Sequence, residues 1–467
     1  MTDSVALAFE ECEYSLPHLD ALAGGLAAVL RARGVRSGDR VALMSSNRPE
    51  FVIAVHAVWR LGAAVVLLSP AWKQAEVEHA LSITRPAYAV GDHPVLAGLM
   101  PMLSLEEPIA AASGVHPAPE PGADGVLVFS SGTTGLPKAV RHTHASLAAA
   151  VEHWRAALRF TAQDRIQVLT PPSHILGLLN ILLALRTGAW LRLHRRFDLD
   201  LMLRHIEKDR VTVEMAVAPI ALALAAHPDL ESYDLSSLRY IMWGATPVSA
   251  SVAETVTRRT GVGWLPAYGT SELPVIACNP VGRARLDSVG RPAPGVRVRV
   301  VAPESGKVLG PGEIGEIHAR SPGLMAGYLP EAATASVLRD GWYRTGDIGA
   351  LDADGWLRLT DRLKELIKVR GFQVAPAEVE SVLHAHPAVT DCAVFGVPDT
   401  ADGEAIVAAV AVSEAIGPDE LIEYVGARLA SYKRPRRVVF VPRIPRLPSG
   451  KVLRRVLKEQ YGRTSDE

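Results

Sequence analysis

The chain has 467 residues, too many for one ordinary core, so two or three domains or subdomains are expected. Hydrophobic residues make up 48%, charged residues 21% and the formal net charge is −1, a globular composition that gives no ground for a nucleic-acid surface or an acidic tail. Cys12, Cys278 and Cys392 are too scattered for a metal cluster or a disulfide framework, and Met1–Glu10 lacks the pattern of a secretory signal, so a reducing, cytoplasmic setting is expected.

In chain order, apolar strand-like runs alternate with helix-like runs. Arg40–Met44 precedes Pro49–Leu61, Ala63–Leu68 precedes Gln74–Leu81, and Val211–Ala216 precedes Pro219–Ala226. That alternation predicts an α/β protein with parallel sheets. The most apolar windows, Phe51–Leu68 and Ile175–Leu193, contain His56, Arg60, Asn180 and Arg186, which makes them core elements rather than membrane spans. Gly114–Ala123 reads as a surface loop. The strand-like run Val126–Phe129 then leads into Ser130-Ser131-Gly132-Thr133-Thr134-Gly135-Leu136-Pro137-Lys138, with the helix-like run His144–Leu158 beyond. Glycine lets backbone approach an anion closely, hydroxyls and amides donate hydrogen bonds, and Lys138 adds charge, so this loop suits a polyphosphate. Only nine of the 49 cationic residues are lysine, so a lysine in such a loop carries weight.

From Gly290 to Leu359 short alternating runs such as Val296–Val301 and Glu313–Ala319 are divided by Pro-Gly and Asp-Gly turns, which predicts a small β-rich subdomain. Asp352–Gly355 lacks the later ligands of a calcium loop and reads as a hairpin turn. After a boundary near Asp361–Lys364 comes a unit of about 100 residues with helix-like Pro376–His384 and Asp419–Leu429 and strands near Val389–Phe395 and Ala405–Val412. The predicted layout is therefore residues 1–362, a large domain of stacked α/β subdomains plus a β-rich one, and residues 363–467, a small α+β domain.

Six further signatures follow the loop in order: Pro171-Pro172-Ser173-His174, Gly244-Ala245-Thr246-Pro247, Tyr268-Gly269-Thr270-Ser271-Glu272, Tyr343-Arg344-Thr345-Gly346-Asp347, Asp361 to Lys368, and Pro448-Ser449-Gly450-Lys451. Together they closely resemble the adenylate-forming superfamily of acyl- and aryl-CoA ligases, amino-acid adenylation domains and beetle luciferases, over about Tyr14 to Tyr461. The stretch Asp361–Glu380 looks most like the 4-coumarate– and fatty-acid–CoA ligases. The resemblance implies a two-step reaction with ATP, Mg²⁺ and coenzyme A: a carboxylate attacks the α-phosphate to give acyl-AMP and pyrophosphate, and a thiol then displaces AMP.

The same resemblance assigns roles to residues. Ser130 to Gly135 and Lys138 would hold the phosphates, with Thr134 and Glu272 toward Mg²⁺. Ala245, Tyr268, Gly269 and Ser271 would line the nucleotide site, Tyr268 stacking near adenine. Asp347 would accept the ribose hydroxyls, beside Arg362. Lys451 would bridge the attacking carboxylate and the α-phosphate, stabilising the charge that crowds there. The C-terminal domain would turn about a hinge at Lys364 and present Lys368, Gly371 and Gln373 for thiol attack. His174, Leu176, Trp243 and Ala267 would form the acyl pocket, and Arg195 and Gly371 would meet coenzyme A.

Some positions depart from the family pattern. Ala139 stands where a glycine usually follows the loop lysine, Ser271 where most relatives have Thr, Pro266-Ala267 where a pair such as Gln-Gly is common beside the acyl pocket, and Trp243 where they have a small residue. A Trp and an extra methyl at the pocket wall predict a reduced pocket, favouring small or aromatic acids. Two other readings remain: an adenylating enzyme with a different acid or acceptor (a diazotase that activates nitrite, or a carrier-protein-loading ligase), and a non-catalytic nucleotide-binding regulator. Monomer and homodimer are both compatible with the sequence.

Overall fold

Arg40–Met44, Ala64–Leu67 and Tyr88–Gly91 are short runs of Val, Ala and Leu with nearly every residue buried, the pattern of strands covered on both faces. In the computed structural model they pair in parallel, connected through helices Pro49–Arg60 and Gln74–Thr84. Residues 4–112, 118–130, 137–244, 250–362, 365–370, 372–399, 402–447 and 450–462 are described, with backbone alone at 361, 362 and 373. The sheet continues through Asp124–Ser130, which pairs in parallel with Ala64–Leu67, and ends with Lys138–Thr143 and Gly327–Leu329, both antiparallel.

A second sheet sets Val5–Phe9, Trp190–Leu193, Arg165–Val168, Val213–Ala216, Tyr240–Trp243 and Trp264–Tyr268 side by side, all parallel. Helix His144–Leu158 packs on the first sheet and helix Ile175–Thr187 on the second, and the two helices pack on each other. The N-terminus of the first is capped by Thr143, whose Oγ1 accepts from the Ser146 N–H at 3.0 Å. One continuous core runs from Leu7 and Val41 through Leu147 and Leu178 to Tyr268 and Ile317, joining both sheets to the β-rich sheet of Arg297–Val301, Gly315–Arg320, Trp342–Leu351 and Leu357–Arg362. No helix among the described residues is long and apolar enough to cross a membrane.

The C-terminal unit has cores of its own. Its long hairpin, Val389–Asp399 and Gly403–Val412, alternates with a period of two. Val394, Val410 and Cys392 face helices Pro376–His384 and Pro418–Gly426, while Phe395, Val407 and Ala409 face Leu457 of helix Arg454–Tyr461.

The stretch after the phosphate loop differs from expectation. Residues 138–143 form a strand antiparallel to Asp124–Ser130, with Lys138 directly opposite Ser130. The loop therefore joins two strands of a hairpin, and the helix begins one strand later, at His144. The cause is the alternation of Ala139, Val140 and His142, whose side chains the sheet buries on both faces.

Candidate active site

The C-terminal end of strand Trp264–Tyr268 opens into a turn that only glycine permits at its start. A Cβ on Gly269 would lie 1.9 Å from the Pro274 carbonyl oxygen. The Thr270 N–H donates to Leu273 O at 3.0 Å, and the turn projects Ser271 and Glu272 into a cleft of about 560 Å³. Buried His142 lies beneath the turn, its Nε2 2.7 Å from the Ser271 carbonyl oxygen. A carbonyl only accepts, so Nε2 carries the hydrogen. Burial lowers the His142 pKa, which keeps the ring neutral.

Glu272 is 7% exposed, and its Oε1 accepts from the Tyr328 hydroxyl at 2.7 Å. Lys138 Nζ lies 5.5 Å from the centre of the Tyr328 ring, so loop lysine, tyrosine and carboxylate form one cluster. Burial, reinforced by nearby Glu272 and Tyr328, pushes the Tyr343 phenol well above its usual pKa, leaving it a fixed neutral group. On strand Trp342–Leu351, Asp347 is 6% exposed. It accepts from the Tyr268 hydroxyl at 2.5 Å, and its own N–H donates to Thr345 Oγ1 at 3.0 Å. Arg362 stands beside Asp347 in the ladder. Arg344, another cleft residue, is held by Glu316 at 2.9 Å. Burial alone would raise the Glu316 pKa, but hydrogen bonds from His318 and Arg344 hold it below the usual carboxylate value.

The cleft wall also includes Trp154, His174, Leu176, Met242 and Ala267. Burial lowers the His174 pKa, so the ring is neutral near pH 7. Leu447 and Lys451 of the C-terminal unit line the same cleft.

Of the residues anticipated from sequence, the structure gathers Ser130, Lys138, His174, Leu176, Ala267, Tyr268, Gly269, Ser271, Glu272 and Lys451 around one cleft, with Asp347 bonded to its wall. Residues 131–135, Ala245, Lys364 and Gly371 lie outside the described residues, and the side chains of Arg362 and Gln373 are not described. Lys368 is exposed and away from the cleft, on strand Ile367–Val369 opposite Gln373. Arg195 does not line the cleft; its guanidinium pairs with Glu10 at 3.2 Å and lies over the Phe9 ring.

Trp243 requires a correction. It is 1% exposed and packs against Trp264 in the core behind the sheet, with 5.0 Å between ring centres. Strand residues alternate faces, so its neighbour Met242 is the one that reaches the cleft. Ala139 is likewise fully buried on the far side of its strand. Of the residues expected to shrink the pocket, Trp243 therefore does not line it, whereas Ala267 does. Tyr328, Met242, Trp154 and His142 were not anticipated, and Met242 was open to discovery from the period-two pattern alone.

Among the described residues no cluster of three or more His, Cys, Asp or Glu is arranged to hold a metal. Glu272 is a buried carboxylate lining the cleft, with Lys138 in the same cluster, while the other lining carboxylate, Glu316, is taken up by Arg344 and His318. A carboxylate supplemented by phosphate oxygens and water is a donor set Mg²⁺ takes on nucleotides, so the residues present fit that ion.

Comparison with known proteins agrees with this geometry. Residues 1–329 match the family model described as AMP-binding enzyme, and residues 378–451 match that of the AMP-binding enzyme C-terminal domain. A feruloyl-CoA synthase from an Amycolatopsis species is 37% identical over 454 residues, covering 94% of this chain and 92% of the relative. A 4-coumarate–CoA ligase from Arabidopsis thaliana is 35% identical over 492 residues, covering 95% and 87%. The structure of an o-succinylbenzoate CoA synthetase from Bacillus subtilis with its acyl-adenylate intermediate superposes with a TM-score of 0.89 at 31% identity, covering 97% and 95%.

Proposed function

Because this chain belongs to the AMP-binding enzyme family and is an ATP-dependent acid–thiol ligase of the AMP-forming type, we propose that its acid is a small aromatic carboxylate of the ferulate or 4-coumarate kind. Its substrates and cofactors are the acid, ATP, Mg²⁺ and coenzyme A. In the first step a carboxylate oxygen bonds to the α-phosphorus and the bond to the bridging oxygen of pyrophosphate breaks. In the second a thiolate bonds to the acyl carbon and AMP leaves with the electron pair of the broken C–O bond.

The observation that carries the residue assignments is that Lys451, from the C-terminal unit, lines the same cleft as Lys138, Tyr268 and Glu272. An ammonium there neutralises the charge that builds between carboxylate and α-phosphate, and in a partly dry cleft that interaction is strong. Asp347, oriented by Tyr268, holds the ribose hydroxyls. Glu272 would hold Mg²⁺, which offsets the phosphate charge when bound. Trp154, Leu176, Met242 and Ala267 give the acid an apolar bed, and the neutral His174 presents a polar edge to it. Lys368 is exposed outside the cleft and serves the thiol step after the C-terminal unit turns about the segment near Lys364. A cytoplasmic location, where ATP and coenzyme A are supplied, belongs to the same reading.

The test is pyrophosphate release across a panel of acids (ferulate, 4-coumarate, benzoate, acetate, dodecanoate and nitrite) with and without coenzyme A. Fastest turnover on an aromatic acid, accelerated by coenzyme A, is expected. Fastest turnover on an acid of twelve or more carbons, or on nitrite, would overturn the substrate assignment.

A further inference from the structure

Charge stabilisation by an ammonium depends on holding it at one place, so what anchors Lys451 bears directly on adenylation. Here the inference rests on the reading that Lys451 acts in that step. Lys451 lies in a tight hairpin: Leu447 N–H donates to Lys451 O at 2.8 Å, Gly450 N–H to Leu447 O at 2.8 Å, and Arg446 bridges Val452. Gly450 has φ +83°, a conformation that favours glycine. A hairpin this short has no stability of its own and needs an external anchor.

The anchor is Arg446. Its Nε and Nη2 donate to the two carboxylate oxygens of Asp391 at 3.2 and 2.7 Å, and its Nη1 donates to the Gly450 carbonyl at 2.9 Å. One planar guanidinium thus ties strand Val389–Asp399 to the residue immediately before Lys451. Both side chains are largely buried, 16% and 17% exposed, where a bidentate pair is worth more than on the surface.

Asp391 is itself held from behind. His384, in the last turn of helix Pro376–His384, places Nε2 3.5 Å from Asp391 and Nδ1 2.9 Å from the Glu380 carbonyl. Burial opposes charge on this ring, yet Cys392, the Asp391 carboxylate and the Glu380 carbonyl together raise its pKa. On the other side of Lys451, Arg454 donates to Glu380 at 2.6 Å and to Val394 O at 2.9 Å.

We propose that Arg446 is a positioning residue for adenylation, fixing the Lys451 hairpin to the C-terminal sheet through Asp391. The test combines Arg446→Ala, Lys451→Ala and the double variant, read by ATP–pyrophosphate exchange with ferulate and, separately, by thiolysis of supplied feruloyl-AMP. Arg446→Ala is expected to lower the exchange kcat about tenfold while changing the KM for ATP less than about threefold, because the lost interaction matters in the transition state. Thiolysis is expected to stay within about twofold, and Arg446→Ala is expected to add no further loss in the Lys451→Ala background. Asp391→Asn, which keeps the side-chain shape and weakens the pair, is expected to move exchange the same way and serves if Arg446→Ala does not fold. An equal loss factor in both backgrounds, or equal slowing of both half-reactions, would overturn the proposal and leave Arg446 a general stabiliser of the C-terminal unit. Full exchange activity in Lys451→Ala alone is a distinct result that would overturn the assignment of Lys451, and this proposal with it.

Discussion

Replacing Asp347 with Ala removes a carboxylate that is 6% exposed and already accepts the Tyr268 hydroxyl at 2.5 Å. A carboxylate offers about four acceptor sites, enough for Tyr268 and a ribose diol together. A hydrogen bond to an ionised group contributes about 1.5–3 kcal/mol, and water replaces part of a lost ribose contact, so the net loss should be about 2–3 kcal/mol. At about 1.4 kcal/mol per tenfold, ATP should bind about 30- to 150-fold more weakly. Isothermal titration with ATP in the absence of acid measures this directly. Asp347→Asn retains an acceptor for Tyr268 and should lose less, about tenfold. Tyr268→Phe keeps the ring and frees the carboxylate, so its loss should be under about fivefold, as for one neutral hydrogen bond. Unchanged affinity in a folded Asp347→Ala enzyme would remove the residue from the nucleotide site. A loss in Tyr268→Phe as large as in Asp347→Ala would mean that the carboxylate acts only by orienting the tyrosine.

Lys451→Ala should cut pyrophosphate exchange by about a hundredfold or more while sparing thiolysis of supplied acyl-AMP, and Lys368→Ala should do the reverse; stopped-flow measurement of each half-reaction separates them, and parallel losses in both would contradict two distinct faces. Ala267→Phe fills the apolar bed and should raise the KM for ferulate by about tenfold or more with little change for ATP, whereas equal activity on ferulate would move the acid elsewhere. Glu214 is fully buried, accepting from Gln167 at 2.6 Å, and burial pushes its pKa up from 4.5 to about 8. The folded state then binds more protons than the unfolded state between those values, so this group's contribution is present below pH 4.5 and is lost as pH rises to about 8. The melting temperature of wild type relative to Glu214→Gln should therefore fall across that window, and a difference that is flat with pH would show that Glu214 is ionised in the fold.

Much of this architecture was legible because periodicity and burial coincide. Arg40–Met44 and Pro376–His384 are found at the residues where the patterns place them. What the sequence concealed depends on contacts between distant segments. Tyr328 reaches Glu272 from an edge strand 56 residues away, and His142 supports Ser271 from 129 residues away, so no local spacing announces either. Trp243 was misplaced because a motif fixes a position along the strand but not the face; Met242, one residue earlier, is the one turned to the cleft. The hairpin of Asp124–Ser130 and Lys138–Thr143 was hidden because its second strand is too short to show a period against the helix that follows.

The central claim is that Lys451 is carried into a nucleotide cleft where an acid becomes a mixed anhydride with AMP. A single-turnover reaction of enzyme, ferulate and α-³²P-labelled ATP with Mg²⁺, sampled before and after coenzyme A is added, tests it most directly. The account predicts labelled feruloyl-AMP in step with pyrophosphate, discharged to labelled AMP when coenzyme A follows, and neither product from Lys451→Ala on the same timescale. Labelled ADP in place of the adenylate, or undiminished adenylate from Lys451→Ala, would contradict it.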